Sequence, residues 1–150
     1  MSHLDQTSLG YFWTEIKNYV TNKLSSLFNT STGVQNLTPT SPFILYASES
    51  ILICEKVGNK AYVRGTVSPS RRLTSSQDEY TITTIPEKYR PLTTVFSVFC
   101  GTGLAMFFLR VYEDGNVTIS RYGHQGSGYT AIPTNAFLAF EINYTVDSYN

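Results

Sequence analysis

The sequence predicts a mainly β protein: an N-terminal α-helix followed by a knob that is an antiparallel β-sandwich or barrel. Three observations predict it. Apolar residues from Leu9 to Leu27 recur at helical spacing, and this is the one convincing helix in the chain. From Phe43 onward the pattern switches to period two, in about eight short runs separated by Gly, Pro, Asn and Asp. Helical crossovers between those runs are missing, which argues for antiparallel pairing and against a parallel α/β sheet. At 150 residues the chain amounts to one domain with a short appendage.

The helix is predicted over Leu9 to Phe28, with Ser8 as N-cap. Its large residues are Leu9, Phe12, Trp13, Ile16, Tyr19, Val20, Leu24 and Leu27, a wide apolar stripe. Glu15 near the start and Lys23 near the end suit the helix dipole. Leu9, Trp13, Ile16, Val20 and Leu27 follow coiled-coil steps, interrupted at Lys23, over about three heptads. With Leu24 they form the expected oligomerisation seam. Trp13 is large for a two-stranded seam and favours three or more strands, or a helix docked on another protein. Residues 1–32 are thus read as a helical oligomerisation and attachment segment, 33–42 as an extended linker, and 43–150 as the knob.

Within the knob, Ile51 to Val57 and Lys60 to Ser68 form a hairpin around Gly58-Asn59. Ala61, Val63, Gly65 and Val67 share one face of the second strand. Pro69 to Asp78 is a polar loop, Glu79 to Ile85 a strand, and Pro86 to Pro91 a short loop. Thr93 to Cys100 is a strand, and Gly101-Thr-Gly103 turns into Leu104 to Glu113, the most apolar strand. Asp114-Gly115 then turns into Asn116 to Arg121, and Gly123 to Gly128 is a glycine-rich loop before Tyr129 to Ile132. Ala136 to Val146 closes the fold, with Leu138, Phe140, Ile142, Tyr144 and Val146 on one face.

Acidic and basic residues balance at eleven each, so charge gives no case for nucleic acid. No apolar run approaches the ~18 residues of a membrane span, so no membrane insertion is expected. The polar N-terminus shows no signal peptide, so synthesis in the cytoplasm is expected. Cys54 and Cys100 sit in apolar runs and read as buried free thiols; a disulfide between them stays open. Metal-type Cys/His spacing is missing, and no cofactor is expected.

Catalytic signals are weak. His3 lies in the N-terminal tail and His124 in the glycine-rich loop; no carboxylate pair stands out. The loop at Gly123 lacks the Lys-Ser/Thr ending of a phosphate cradle and opens no helix. Gly101-Thr-Gly103 likewise fails the dinucleotide fingerprint. No enzyme activity, catalytic residue or metal ligand is therefore expected. Binding has better support. Tyrosine, used 11 times, gives contact area at low entropic cost. Arg121, Tyr122, His124, Gln125 and Tyr129 are the candidate ligand-binding residues, for a neutral saccharide or a protein.

Several segments together resemble phage proteins. LGYFWTEIKNYVTNKL resembles a helical segment of tail and baseplate proteins from phages and prophages of Gram-positive hosts. VGNKAYVRGTV, TITTIPEKYRP, VYEDGNVTISR and AFLAFEINYTV resemble the knob that ends such proteins. The matches span most of residues 9–146. The resemblance implies a virion protein: a homotrimeric fibre, baseplate or receptor-binding component, partnered by itself, by other tail, baseplate or head proteins, and by host cell-surface polysaccharide. It narrows the fold to an N-terminal α-helix that forms a short trimeric bundle, followed by an antiparallel β-sandwich knob. It carries no shared catalytic residues. Only about forty residues precede the β-part, so docking to the particle would use Met1 to Ser8 or the helix. Rival readings are a monomeric carbohydrate-binding module outside phages, a structural head-fibre protein without receptor activity, and a small depolymerase.

Overall fold

The computed structural model describes residues 6–27, 33–74, 78–124 and 126–146; within the helix, side chains are described for 10–21 and 23. The chain divides into two units, the helix and the β-structure that follows it.

Helix α1 spans Gln6–Leu27. No Pro or Gly interrupts its first turn, so it starts ahead of the expected point, and Ser8 lies inside it rather than at its cap. Trp13 is 54% exposed and Val20 45%, with Tyr11, Phe12 and Tyr19 also open, while Ile16 is half-buried. Phe12 and Trp13 pack edge to face at 6.4 Å. Of the expected seam, the side chains of Leu9, Leu24 and Leu27 lie outside the described residues.

The second unit is two antiparallel sheets face to face. The first contains β1 (Val34–Asn36), β2 (Phe43–Leu45), β3 (Leu52–Val57), β4 (Lys60–Pro69) and β10 (Leu138–Thr145). Strand β4 is its spine: β3 pairs with its first half, β2 with its last residues, and β10 runs along its other edge. The second sheet contains β5 (Tyr80–Thr84), β6 (Val95–Cys100), β7 (Met106–Val111), β8 (Asn116–His124) and β9 (Gly128–Tyr129). Its order is β5-β8-β7-β6, with β9 paired to the end of β8. A bridge between Gly101 and Leu138 ties the second sheet to β10.

Alternation explains the core. Leu138, Phe140, Ile142 and Tyr144 of β10 point inward while Glu141, Asn143 and Thr145 face out. Phe107, Leu109 and Val111 of β7 and Val117 and Ile119 of β8 meet them from the other sheet. Each such side chain contributes about 1.5–3 kcal/mol on full burial. The loop after β5 adds an anchor. The Tyr89 hydroxyl donates to the Gly33 carbonyl at 3.3 Å, and the buried Tyr144 hydroxyl donates to the Tyr89 carbonyl at 2.8 Å.

Two expectations need correction. The 33–42 segment is not a free linker. It carries β1, paired to β3, and Leu37 and Thr40 donate backbone bonds to Leu52 and Ile82. The Thr83 hydroxyl also holds the Thr38 carbonyl. Cys54 is buried as expected, but Cys100 is exposed, and both are free thiols. Cys100 follows the alternation of β6 onto its outer face.

Candidate functional site

One end of the outer face of the second sheet, around Val98, Met106 and Phe108, is apolar where an antiparallel sheet usually meets water, while Arg110, Thr118 and Ser120 bring polar groups to the rest of that face. On β6, Phe96 is 67% exposed and Val98 46%, while the intervening Ser97 and Phe99 turn inward. On β7, Met106 and Phe108 occupy the outer face and Phe107 and Leu109 the core. Register places Val98 opposite Phe108, and Cys100 opposite Met106.

A β-bulge brings a charge over this floor. Met106 pairs with Gly123 and Phe108 with Ser120, so Arg121 and Tyr122 of β8 stand opposite the single Phe107. Arg121 takes φ 53, the left-handed region where a bulge of this kind ordinarily has glycine. The strain costs roughly 1–2 kcal/mol. It turns the exposed guanidinium back over the Phe108 ring, 5.1 Å from its centroid. Such a cation–π contact returns about 0.5–1 kcal/mol at an exposed site.

The β8–β9 hairpin forms the other wall. Gly123 pairs with Tyr129 and His124 with Gly128. The two backbones approach so closely that a Cβ on Gly123 would lie 2.2 Å from the Gly128 carbonyl oxygen. Tyr129 is left 49% exposed at the rim. The result is an open groove of about 500 Å³ lined by Val98, Met106, Phe108, Arg121, His124 and Tyr129, with Gly123, Gly126 and Gly128 supplying bare backbone. His124 also borders a second groove, of about 360 Å³, shared with Arg72, Tyr122, Thr130 and Thr134.

Of the five residues singled out in the sequence, Arg121, His124 and Tyr129 converge on the groove. Tyr122 does not: it follows the bulge into the hydrophobic core, is 3% exposed, and burial raises its hydroxyl pKa. Gln125 lies outside the described residues. The floor residues Val98, Met106 and Phe108 were missed. Their signal was a strand apolar at successive positions, which in an antiparallel sheet implies something covering its outer face.

The lining offers hydrogen-bond donors beside apolar surfaces. A guanidinium donates several N–H bonds, an imidazole offers ring nitrogens, and Tyr129 and the apolar floor present surfaces on which the C–H face of a ring can lie. None of the described lining residues carries a carboxylate. Among the described residues, no three His, Cys, Asp or Glu side chains gather to hold a metal.

No protein-family model and no curated protein matches the chain. Solved structures do. The receptor-binding head domain of lactococcal phage bIL170 superposes with a TM-score of 0.55 at 13% identity, covering 77% of this chain and 98% of that one. The receptor-binding protein (gp15) of Listeria phage PSA does so with a TM-score of 0.54 at 13% identity, covering 96% of this chain and 82% of that one. The chain therefore has the fold of phage receptor-binding head domains, as the resemblance of its β-segments implied.

Proposed function

We propose that this chain is a receptor-binding virion protein of a phage of a Gram-positive host. It works as a homotrimer and binds host cell-surface polysaccharide in the groove over β6, β7 and β8. The observation that carries this reading is the exposed groove itself, with Arg121 held at a strained φ above an apolar floor. Both neighbours in fold are named as receptor-binding proteins of phages, which supports the same reading. Apolar ring faces stack on Tyr129 and the floor while hydroxyls take hydrogen bonds from Arg121 and His124. The protein holds the polymer without turning it over.

The test is binding of the full chain to wall polysaccharide purified from lactococcal and Listeria strains. Arg121→Ala and Tyr129→Ala are each expected to weaken binding by about tenfold or more, with the thermal midpoint nearly unchanged, because both side chains are exposed. Release of reducing ends would instead identify a depolymerase. Binding by neither wild type nor variants, across the panel, would leave a structural virion part.

A further inference from the structure

The turn that joins β6 to β7 presents a leucine where its geometry calls for glycine. Ala105 donates its N–H to the Thr102 carbonyl at 3.1 Å, closing a tight turn. Its two central residues, Gly103 and Leu104, both have φ 63, the pattern of a type I′ turn. Glycine satisfies that geometry without strain; leucine does not. Leu104 is moreover 82% exposed, so burial does not compensate. Glycine would be better on both counts, and a strained residue that the fold does not need points to function.

The surroundings indicate which function. On one side, Gly103 abuts the groove: a Cβ there would lie 3.7 Å from Cε1 of His124. On the other, Thr102 is tied twice to Phe137. The Phe137 N–H donates to the Thr102 hydroxyl at 2.6 Å, and the Thr102 N–H donates to the Phe137 carbonyl at 3.2 Å. Phe137 packs edge to face on Tyr46 at 5.0 Å, and both rings are open to solvent, at 39% and 45%. The groove, the Leu104 turn and the Tyr46–Phe137 pair are thus consecutive neighbours along one rim.

We infer that this rim is an extension of the receptor groove: Leu104 and the Tyr46–Phe137 pair bind further sugar units of the same saccharide chain as it leaves the site. The inference rests on the saccharide-binding reading above. An uncharged pair of open rings beside a hydroxyl and an aliphatic crest suits the C–H faces of neutral sugars. The occupant is a polymer, because the rim continues from the groove through successive neighbours, and only a chain of several units would reach both.

The test compares intact wall polysaccharide from lactococcal and Listeria strains with its one- and two-unit fragments, on the full chain. Leu104→Gly and Tyr46→Ala are each expected to weaken binding of the intact polymer about tenfold while leaving the fragments unaffected. Leu104→Gly is also expected to raise Tm by about 1–3 °C, since strain relief exceeds the added entropy of the unfolded chain. Stability and binding then move in opposite directions. If both variants bind the intact polymer like wild type while Arg121→Ala does not, the groove stands and the extension falls. If Leu104→Gly lowers Tm together with binding, Leu104 is a structural residue and the proposal is overturned. If the wild type binds no polymer or fragment, the groove reading and its extension fall together.

Discussion

The two cysteines show how strand alternation decides the chemistry of a single residue. Both sit in apolar runs, yet Cys54 faces the core of β3 and Cys100 the outer face of β6. Burial pushes the Cys54 thiol from 9.0 up to about 11, with Lys88 opposing the shift more weakly. Thiolate is the reactive form, so Cys100 is expected to take up an alkylating reagent in the native protein and Cys54 only after unfolding. Mass spectrometry of the labelled peptides checks this; equal labelling in the native state would contradict the burial. The sign of the pH effect follows. The thiolate forms first in the unfolded chain, so the stability linked to Cys54 is complete below about pH 9 and is lost as pH rises towards about 11. Burial raises Tyr144 and Tyr122 in the same direction. Urea midpoints are expected to fall across that alkaline range, less steeply in Cys54→Ala.

Among elements, the β8–β9 hairpin shapes the groove most directly. Gly126 and Gly128 have φ 81 and 69, and the backbone at Gly123 has no room for a side chain. Gly123→Ala is expected to push β9 away, lowering stability by about 1–3 kcal/mol and displacing Tyr129. Chemical denaturation and polysaccharide binding would both report it; an unchanged denaturation midpoint would refute the close approach. Much at this scale was legible in the sequence. Gly58-Asn59 and Asp114-Gly115 sit between alternating runs, and β3, β4, β7 and β10 lie where those runs place them, whereas β8 runs on past Arg121 to His124, so Gly123, His124 and Gly128, expected in a glycine-rich loop, are paired strand residues. Strand β1 was not legible, because Val34–Asn36 is three residues long and exposed throughout, so it leaves no alternation to read. The groove divides in the same way. Arg121, His124 and Tyr129 are close in sequence, whereas Val98, Met106 and Phe108 come from other strands and join them only through pairing. The strained positions Arg121 and Leu104 leave no mark in the sequence at all, since neither residue type signals a positive φ.

At the scale of the molecule, the question is what the helix contributes. The described buried core of the β-unit draws on residues from Phe43 to Val146. Helix α1 meanwhile leaves Phe12, Trp13 and Val20 in the open. A lone amphipathic helix of this length is marginal in water, so its apolar side needs partners. In the homotrimer proposed above, copies of the same helix would meet that need and would also bring several grooves together. Linked sites on one polymer gain about 10²–10⁴ in avidity without any new contact. Ile16→Asp places a charge in the seam and is expected to reduce the mass in solution from trimer to monomer. The β-sheet circular dichroism should persist, because the sandwich supplies its own core. Binding of intact wall polysaccharide is then expected to fall steeply while binding of one- and two-unit fragments stays at the single-groove affinity. A variant that keeps its trimeric mass would remove the helix from the assembly. One that loses its β-sheet signal would make the helix part of the fold of the knob. A monomer that still binds the intact polymer like wild type would show that one groove and its rim suffice, with the helix serving attachment alone.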